Sequence, residues 1–297
     1  MYDGYFSKTH EWFRNKPTEH VHLCYLCGES NYEYLFGEPL YYRCECGFAW
    51  RADMPTDESL KEFYMESAPM TEWARIKLSE LERIRQADKF RFAVDFIKTK
   101  GLKNTLDYGC GNGTFLSYLV DDDSVSFGVE ANEEALRISN GVKGVSAVRP
   151  AEIGALQMDF FNVLSLWGVI EHLKDPLQMI GSLKKFCVSD SYLVACVPNL
   201  DSLVIQRLKY KCCSFVPQHL YFFNKQTLDR LLYKSGYTPV AGCTIEPEYL
   251  PVAKMFYGLD PYAQCGELDF RTPLLPTPEQ ICASGAGYKI ISIYKRK

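Results

Sequence analysis

The residues whose types and spacing carry most chemistry are Leu106-Asp107-Tyr108-Gly109-Cys110-Gly111-Asn112-Gly113. They predict an apolar strand that ends on a carboxylate, runs into a glycine-rich turn and continues as a helix. Glu130 closes a second apolar run, Phe127-Gly128-Val129. Glycines at the first turn of a βαβ unit let the backbone approach a ligand closely. An acid after the second strand can accept hydrogen bonds from both hydroxyls of a ribose. The spacing separates two ligand classes. A dinucleotide fingerprint needs G-x-G-x-x-G, with the third glycine packing helix on sheet and a pyrophosphate at the helix N-terminus. Here G-x-G-x-G is followed by Thr114, and Asp107 stands just before the turn. A carboxylate there repels pyrophosphate and favours a cationic ligand group. The spacing therefore opposes an NAD-dependent oxidoreductase.

DYGCGNG followed by GVE resembles motifs I and II of the class I S-adenosylmethionine-dependent methyltransferases. The similarity continues through Phe161-Asn162-Val163-Leu164-Ser165-Leu166-Trp167-Gly168-Val169-Ile170-Glu171-His172-Leu173, then Val197-Pro198-Asn199, then Pro217-Gln218-His219-Leu220. It implies that Asp107, Gly109, Cys110 and Gly111 hold the methionine portion of S-adenosylmethionine. Glu130 would take the ribose, and Ala131 and Asn132 would line the edge of the adenine pocket. Glu152 is a weaker candidate for a further acid near adenine. Trp167 and Gly168 would lie beneath the sulfonium and the acceptor, where an aromatic face attracts a cation; ordinary packing is the alternative role for Trp167. The family's Phe-Asp pair is Phe161-Asn162 here, a change that leaves methyl transfer intact because that acid carries no proton.

His172 and His219 are the catalytic candidates. Transfer to an alcohol is helped by a positioned base, and imidazole titrates in the useful range. Either ring could instead hold a loop through its backbone. Gln206-Arg207-Leu208-Lys209-Tyr210-Lys211 carries three cations that could grip a phosphate, although such runs are more often solvated faces.

Cys24-Tyr25-Leu26-Cys27-Gly28 and Cys44-Glu45-Cys46-Gly47 resemble two metal knuckles. Thiolates paired by tight turns suit tetrahedral zinc, and four protein ligands leave no open position, so the expected zinc is structural. C-x-C is tighter than the usual C-x-x-C, so His20 or His22 could replace one ligand. The chain has twelve cysteines, but no apolar leader is evident, and metal ligation and buried thiols are expected over a disulfide framework.

Elements must position these groups. The chain of 297 residues, 47% hydrophobic and 24% charged, is long enough for one large domain and a small appendage. Residues 1–55 are expected to form the zinc ribbon, with short strands and no long helical period. Residues 56–100 turn helical: Asp57 or Thr56 caps a first helix, and a second runs from Thr71 to Lys98 on the stripe Ile76, Leu81, Ile84, Phe90, Val94 and Ile97. This segment is a linker and, by the resemblance, a candidate lid. Residues 101–297 alternate strands (105–108, 126–130, 144–148, 161–167, 191–197, 238–245, 289–294) with helices after Gly113, Asn132, Pro176 and Lys225. The expected fold is α/β, a Rossmann-like doubly wound sheet of seven mostly parallel strands with the last reversed. A Pro- and Gly-rich connection from Glu246 to Gly287 is a candidate wall of the substrate pocket.

The leading expectation is an enzyme, a methyltransferase acting at oxygen or carbon of a sugar, a polysaccharide component or a secondary metabolite, with a nucleotide-linked sugar among the acceptors. RNA methylation is the first alternative, and a non-catalytic protein that binds S-adenosylmethionine or recruits a partner is the second. The formal net charge of −4 weighs against a nucleic-acid partner. No apolar run reaches the ~18 residues of a membrane span, so a cytoplasmic protein is expected.

Overall fold

The structure, a computed structural model, describes residues 5–246 and 276–297. Composition predicts no helix near the N-terminus, yet α1 (Tyr5–Phe13) is there. Its buried residues Tyr5, Phe6, Thr9 and Phe13 share one helical face. Five short strands follow: β1 (Thr18–His20), β2 (Tyr32–Tyr34), β3 (Tyr41–Cys44), β4 (Ala49–Arg51) and β5 (Asp53–Pro55). β1 pairs with β5, and β2, β3 and β4 pair antiparallel in sequence order. Tyr32 and Tyr42 stack across β2 and β3 with centroids 3.9 Å apart, and both meet Trp50 edge-on at 5.6 Å. Aromatic cross-strand pairs of this kind stabilise a sheet too small to bury a core alone.

Three helices follow: α2 (Asp57–Glu66), α3 (Ala68–Ile76) and α4 (Glu80–Thr99). Thr56 caps α2, its Oγ1 accepting from the Ser59 amide at 3.3 Å. The single helix expected from Thr71 to Lys98 is in fact two. Ser67 caps α3 and Ser79 caps α4, accepting from the amides of Met70 and Glu82. A serine that satisfies the free N–H groups of a new helix start offsets the cost of the break. Ile84, expected on the apolar stripe, is 59% exposed, whereas Phe90, Val94 and Ile97 are buried.

The chain then alternates through β6 (Asn104–Tyr108), α5 (Thr114–Ser117), β7 (Val125–Val129), α6 (Glu133–Asn140), β8 (Val145–Val148), β9 (Phe161–Trp167), α7 (Pro176–Leu183) and β10 (Cys187–Pro198). It continues with α8 (Leu203–Leu208), β11 (Tyr221–Phe222), α9 (Lys225–Lys234), β12 (Tyr237–Ile245), α10 (Pro278–Ala283) and β13 (Lys289–Arg296). The seven-stranded sheet has the order β12-β13-β10-β9-β6-β7-β8. β13 runs antiparallel to both its neighbours, and the pairs among β10, β9, β6, β7 and β8 are parallel, as expected for a doubly wound sheet with a reversed last strand. The chain order reverses between β6 and β9, which opens a crevice at their carboxyl ends. Much of the expected connection from Glu246 to Gly287, residues 247–275, lies outside the described residues.

The N-terminal sheet does not end within the first 55 residues. β11, from the far side of the sequence, pairs antiparallel with β4, Tyr221 opposite Trp50 and Phe222 opposite Ala49. The Arg51 amide donates to the Leu220 carbonyl at 2.8 Å. Phe48 packs against Tyr221 and Phe223 with centroids 5.2 and 5.4 Å away. One apolar core thus contains Leu26, Phe48 and Trp50 together with Leu106, Leu164 and Leu193. Phe48→Ala is expected to cost about 3–5 kcal/mol. Urea unfolding followed by both tryptophan fluorescence and far-ultraviolet dichroism should give one coincident transition, because the two parts share a core.

Candidate active site

A cavity of about 1050 Å³ opens at the carboxyl ends of β6, β7 and β9. Asp107 is the penultimate residue of β6 and is buried. Its Oδ1 accepts from the Ser165 hydroxyl at 2.7 Å. Burial pushes its carboxyl up to about 7, against the Ser165 hydrogen bond and the Lys89 charge and with the help of Glu130. Glu130, just after β7, accepts from the Gly111 amide with Oε2 and from the Asn132 amide with Oε1, both at 2.8 Å. Burial raises this carboxyl too, while those backbone N–H groups work the other way. A carboxylate has about four lone-pair positions, so acceptor capacity remains for a ligand. Glu130 therefore pins the glycine turn and still faces the cavity.

The turn needs its glycines. Gly109 lies at φ +75, and a Cβ there would stand 2.6 Å from Val169 Cγ2. Gly111 lies at φ +55 with open space around it, so its backbone can meet a ligand. Cys110 lines the cavity, and its buried thiol fills the place of a side chain at Gly128, 2.4 Å from where that Cβ would be. Ala131 and Asn132 line the cavity, and Asn132 caps α6 through the Ala135 amide. Trp167 and Gly168 also line it. Trp167 packs on Phe90 and Phe115 at 4.7 and 4.8 Å, and it borders the cavity. Glu152 is absent from the wall; its Oε2 caps the Arg149 amide at 2.9 Å.

The helices before β6 roof this cavity. Leu60 and Tyr64 of α2, Trp73 and Ala74 of α3, and Gln86, Lys89 and Phe90 of α4 all line it. They are tied to the loops after β6 and β7: Asn112 Nδ2 donates to the Ala74 carbonyl at 2.7 Å, and Asn132 Nδ2 to that of Tyr64 at 3.4 Å. Several buried polar atoms of lining residues lack a partner, namely Gln86 Nε2, Asn112 Oδ1, Trp167 Nε1 and the Tyr64 hydroxyl. Buried polar atoms are rarely left unpaired in a native protein, so these mark a cavity built for a polar ligand. Gln86 and Lys89 were not singled out in the sequence, and Phe90 only as part of the apolar stripe, although their spacing puts all three on one face of a helix.

The structure brings the two histidines together, with ring centroids 4.6 Å apart. His172 lines the cavity, while His219 stands behind it, outside the wall. His172 Nδ1 meets the Gln218 carbonyl at 2.9 Å and His219 Nδ1 the Ser214 carbonyl at 2.7 Å. Burial, then the neighbouring His172 and Lys289, hold the His219 imidazole well below its ordinary value. The cationic run 206–211 lies away from the cavity, with Arg207, Lys209 and Lys211 exposed, so it is the solvated face.

The cysteine pairs converge as the spacing predicts. Cys24 Sγ lies 3.6 Å from Cys46 Sγ, and Cys27 Sγ lies 3.5 Å from Cys44 Sγ. All four thiols fall within 4.8 Å of one another. A tetrahedron with Zn–S of about 2.3 Å has sulfurs about 3.8 Å apart, so the donor set fits zinc. Gly28 and Gly47, at φ +83 and +87, close the two turns. His20 is engaged elsewhere, by Asp53 and Tyr42. Tyr25, inside the first knuckle, donates to Asp175 and accepts from the Leu177 amide, which joins the cluster to the cavity wall at α7. All cysteines of the described residues are free of disulfides. Among the described residues no helix is long and apolar enough to cross a membrane.

The fold and the site together define a class I S-adenosylmethionine-dependent methyltransferase. A family model described as "Methyltransferase domain" matches residues 79–241, more than half of the chain, and the chain belongs to that family. Solved structures share the fold at low identity. Magnesium protoporphyrin IX methyltransferase from Synechocystis PCC 6803, with bound S-adenosylhomocysteine, is 15% identical with a TM-score of 0.53, covering 81% of this chain and 100% of that one. The plantazolicin methyltransferase BamL, in complex with a triazolic desmethylPZN analog and S-adenosylhomocysteine, is 11% identical with a TM-score of 0.53, covering 80% and 94%. No curated protein matches the chain in sequence.

Gly109→Ala combines a left-handed backbone with a clash against Val169. It is expected to abolish ligand binding at this turn and to lower the melting temperature, as calorimetric scanning will read; an unchanged thermogram would contradict the geometry.

Proposed function

We propose that this protein transfers a methyl group from S-adenosylmethionine to oxygen or carbon of a small polyhydroxylated acceptor, of the sugar or nucleotide-linked-sugar class. The observation that carries the reading is the pair of buried carboxylates, Asp107 and Glu130, facing one cavity opposite His172 in a chain of the methyltransferase family. The donor brings a reactive sulfonium methyl, and the protein's work is alignment and exclusion of water. Asp107 pairs with the donor's ammonium group, Glu130 takes the ribose hydroxyls with its remaining lone pairs, and Trp167 offers its face to the sulfonium. Gly109, Cys110 and Gly111 supply close main chain, and Ala131 and Asn132 border the adenine. His172, with His219 behind it, activates the acceptor. Lys61 and Lys174 also line the cavity, and α2, which carries Lys61, is held beside His172 by the ring contact of Tyr64 at 5.7 Å. Lys174 is paired with Glu19 at 2.7 Å, which leaves the Lys61 ammonium to suit a phosphate on the acceptor. Fold likeness at 11–15% identity leaves the acceptor to be argued from this chemistry.

Organisation follows the same reading. Residues 1–55 carry a structural zinc at Cys24, Cys27, Cys44 and Cys46, residues 56–100 form a lid, and residues 101–297 form the catalytic domain. Metal analysis should find one zinc per chain, and its removal should lower the melting temperature; a metal-free chain of unchanged stability would contradict the zinc assignment.

Donor binding should depend on pH with a definite sign. Below about 7 Asp107 carries a proton that must leave before the carboxylate pairs with an ammonium. Affinity for S-adenosylhomocysteine, measured by titration calorimetry, should fall by up to about tenfold per pH unit below that point and level off above it. Asp107→Asn should flatten the profile and lose about 1–3 kcal/mol of binding. Labelled methyl transfer to a panel of sugar nucleotides then tests the acceptor class. His172→Gln should lower turnover while leaving S-adenosylhomocysteine affinity intact; equal turnover would remove His172 from the chemistry.

A further inference from the structure

Beside the cavity three Lewis bases converge from two loops. Glu171, His172 and His219 each present a donor atom within 4.8 Å of the other two. A main-chain carbonyl can only accept, so each histidine's Nδ1 bonded to one carries the hydrogen, and each Nε2 is left with a lone pair. This is how ligating histidines are commonly oriented, by a partner on the far ring nitrogen. Glu171 is 2% exposed and its Oε2 has no hydrogen-bond partner. A buried carboxylate oxygen without a partner is costly unless a cation or donor arrives. Gln218, whose carbonyl orients His172, lines the same cavity and also leaves its buried Oε1 unpaired.

We infer that Glu171, His172 and His219 form a site for a divalent first-row cation, distinct from the four-cysteine cluster, which presents open coordination positions to the acceptor. Two imidazoles and one carboxylate are a donor set of intermediate hardness, unlike the thiolates that select structural zinc. A cation about 2.1 Å from each donor sets donor separations of about 3–4 Å, which small side-chain adjustments reach from the present spacing. Three protein donors leave about three positions of an octahedron, enough for two neighbouring acceptor oxygens and a water.

The inference deepens the acceptor side of the proposed methyl transfer and rests on that reading for its role. His172 then activates the acceptor as a ligand to the cation and not as the base. A hydroxyl bound at the cation gives up its proton more readily, and the water on the remaining coordination position carries that proton away. The hydroxyl oxygen then forms a bond to the sulfonium methyl carbon as the C–S bond breaks and the electron pair stays on sulfur, giving a neutral thioether. Vicinal hydroxyls of a sugar chelate such a cation, which names the acceptor chemistry further.

The test uses the full chain with zinc already bound, titrated with Mn2+ while the paramagnetic resonance of the free aquo ion is followed, with S-adenosylhomocysteine affinity measured in parallel. One Mn2+ should bind per chain, with affinity weakened at least about tenfold in Glu171→Gln and in His219→Gln. S-adenosylhomocysteine affinity should be retained in both variants, which certifies that they fold. No Mn2+ binding by wild-type chain that still binds S-adenosylhomocysteine overturns the cation site and leaves the donor reading standing. Mn2+ binding that is unaffected by either substitution also overturns it. If a variant does not fold, the wild-type titration and the other variant decide.

Discussion

Two carboxylates buried on adjacent strands impose the character of this molecule. Asp107 and Glu130 end neighbouring parallel strands at the sheet's switch point, where the low dielectric makes an unpaired anion costly. Their surroundings compensate in different ways. Glu130 is satisfied by two backbone N–H groups, and in accepting them it fixes both the glycine turn and the start of α6. Asp107 has one hydroxyl partner, and its raised pKa records a deficit that a cationic ligand would fill. The glycine turn, the roof of helices and the unpaired polar atoms around them all face the same cavity.

The second constraint is the sheet shared between the chain's two ends. Pairing of β11 with β4 places the residues just before β11, including His219, against the knuckle-bearing module. The Leu220 amide in turn bonds to the Glu171 carbonyl, so the loop after β9 is held to the loop before β11. Zinc in the cysteine cluster would thereby stiffen the acceptor side of the cavity at a distance, through Tyr25 and α7 as well as through the shared strands.

Much of this was legible in the sequence, and the reasons differ by element. β9, Phe161–Trp167, was found to the residue because a buried parallel strand is a continuous apolar run bounded by turn signals. The ligand turn was legible because glycine spacing reports backbone geometry directly. The helix break near Ser79 was not, since a single capping serine is a weak signal inside a long periodic stretch. α1 was hidden by the aromatic and cysteine-rich composition around it, although Tyr5, Phe6, Thr9 and Phe13 do fall on one face. The two-residue strand β11 had no local signature at all; its partner is remote in sequence, and pairing of that kind is decided by packing. Glu171 sat in plain view beside His172, but only the structure reveals that its oxygen is unpaired.

The most direct measurement of the central claim is a crystal structure grown with S-adenosylhomocysteine. The account predicts the ligand in the cavity under α2, α3 and α4, its ammonium on Asp107, its ribose hydroxyls on Glu130, and its sulfur facing Trp167 and the His172 side. A complex in which that cavity stays empty, or in which neither carboxylate touches the ligand, would contradict it.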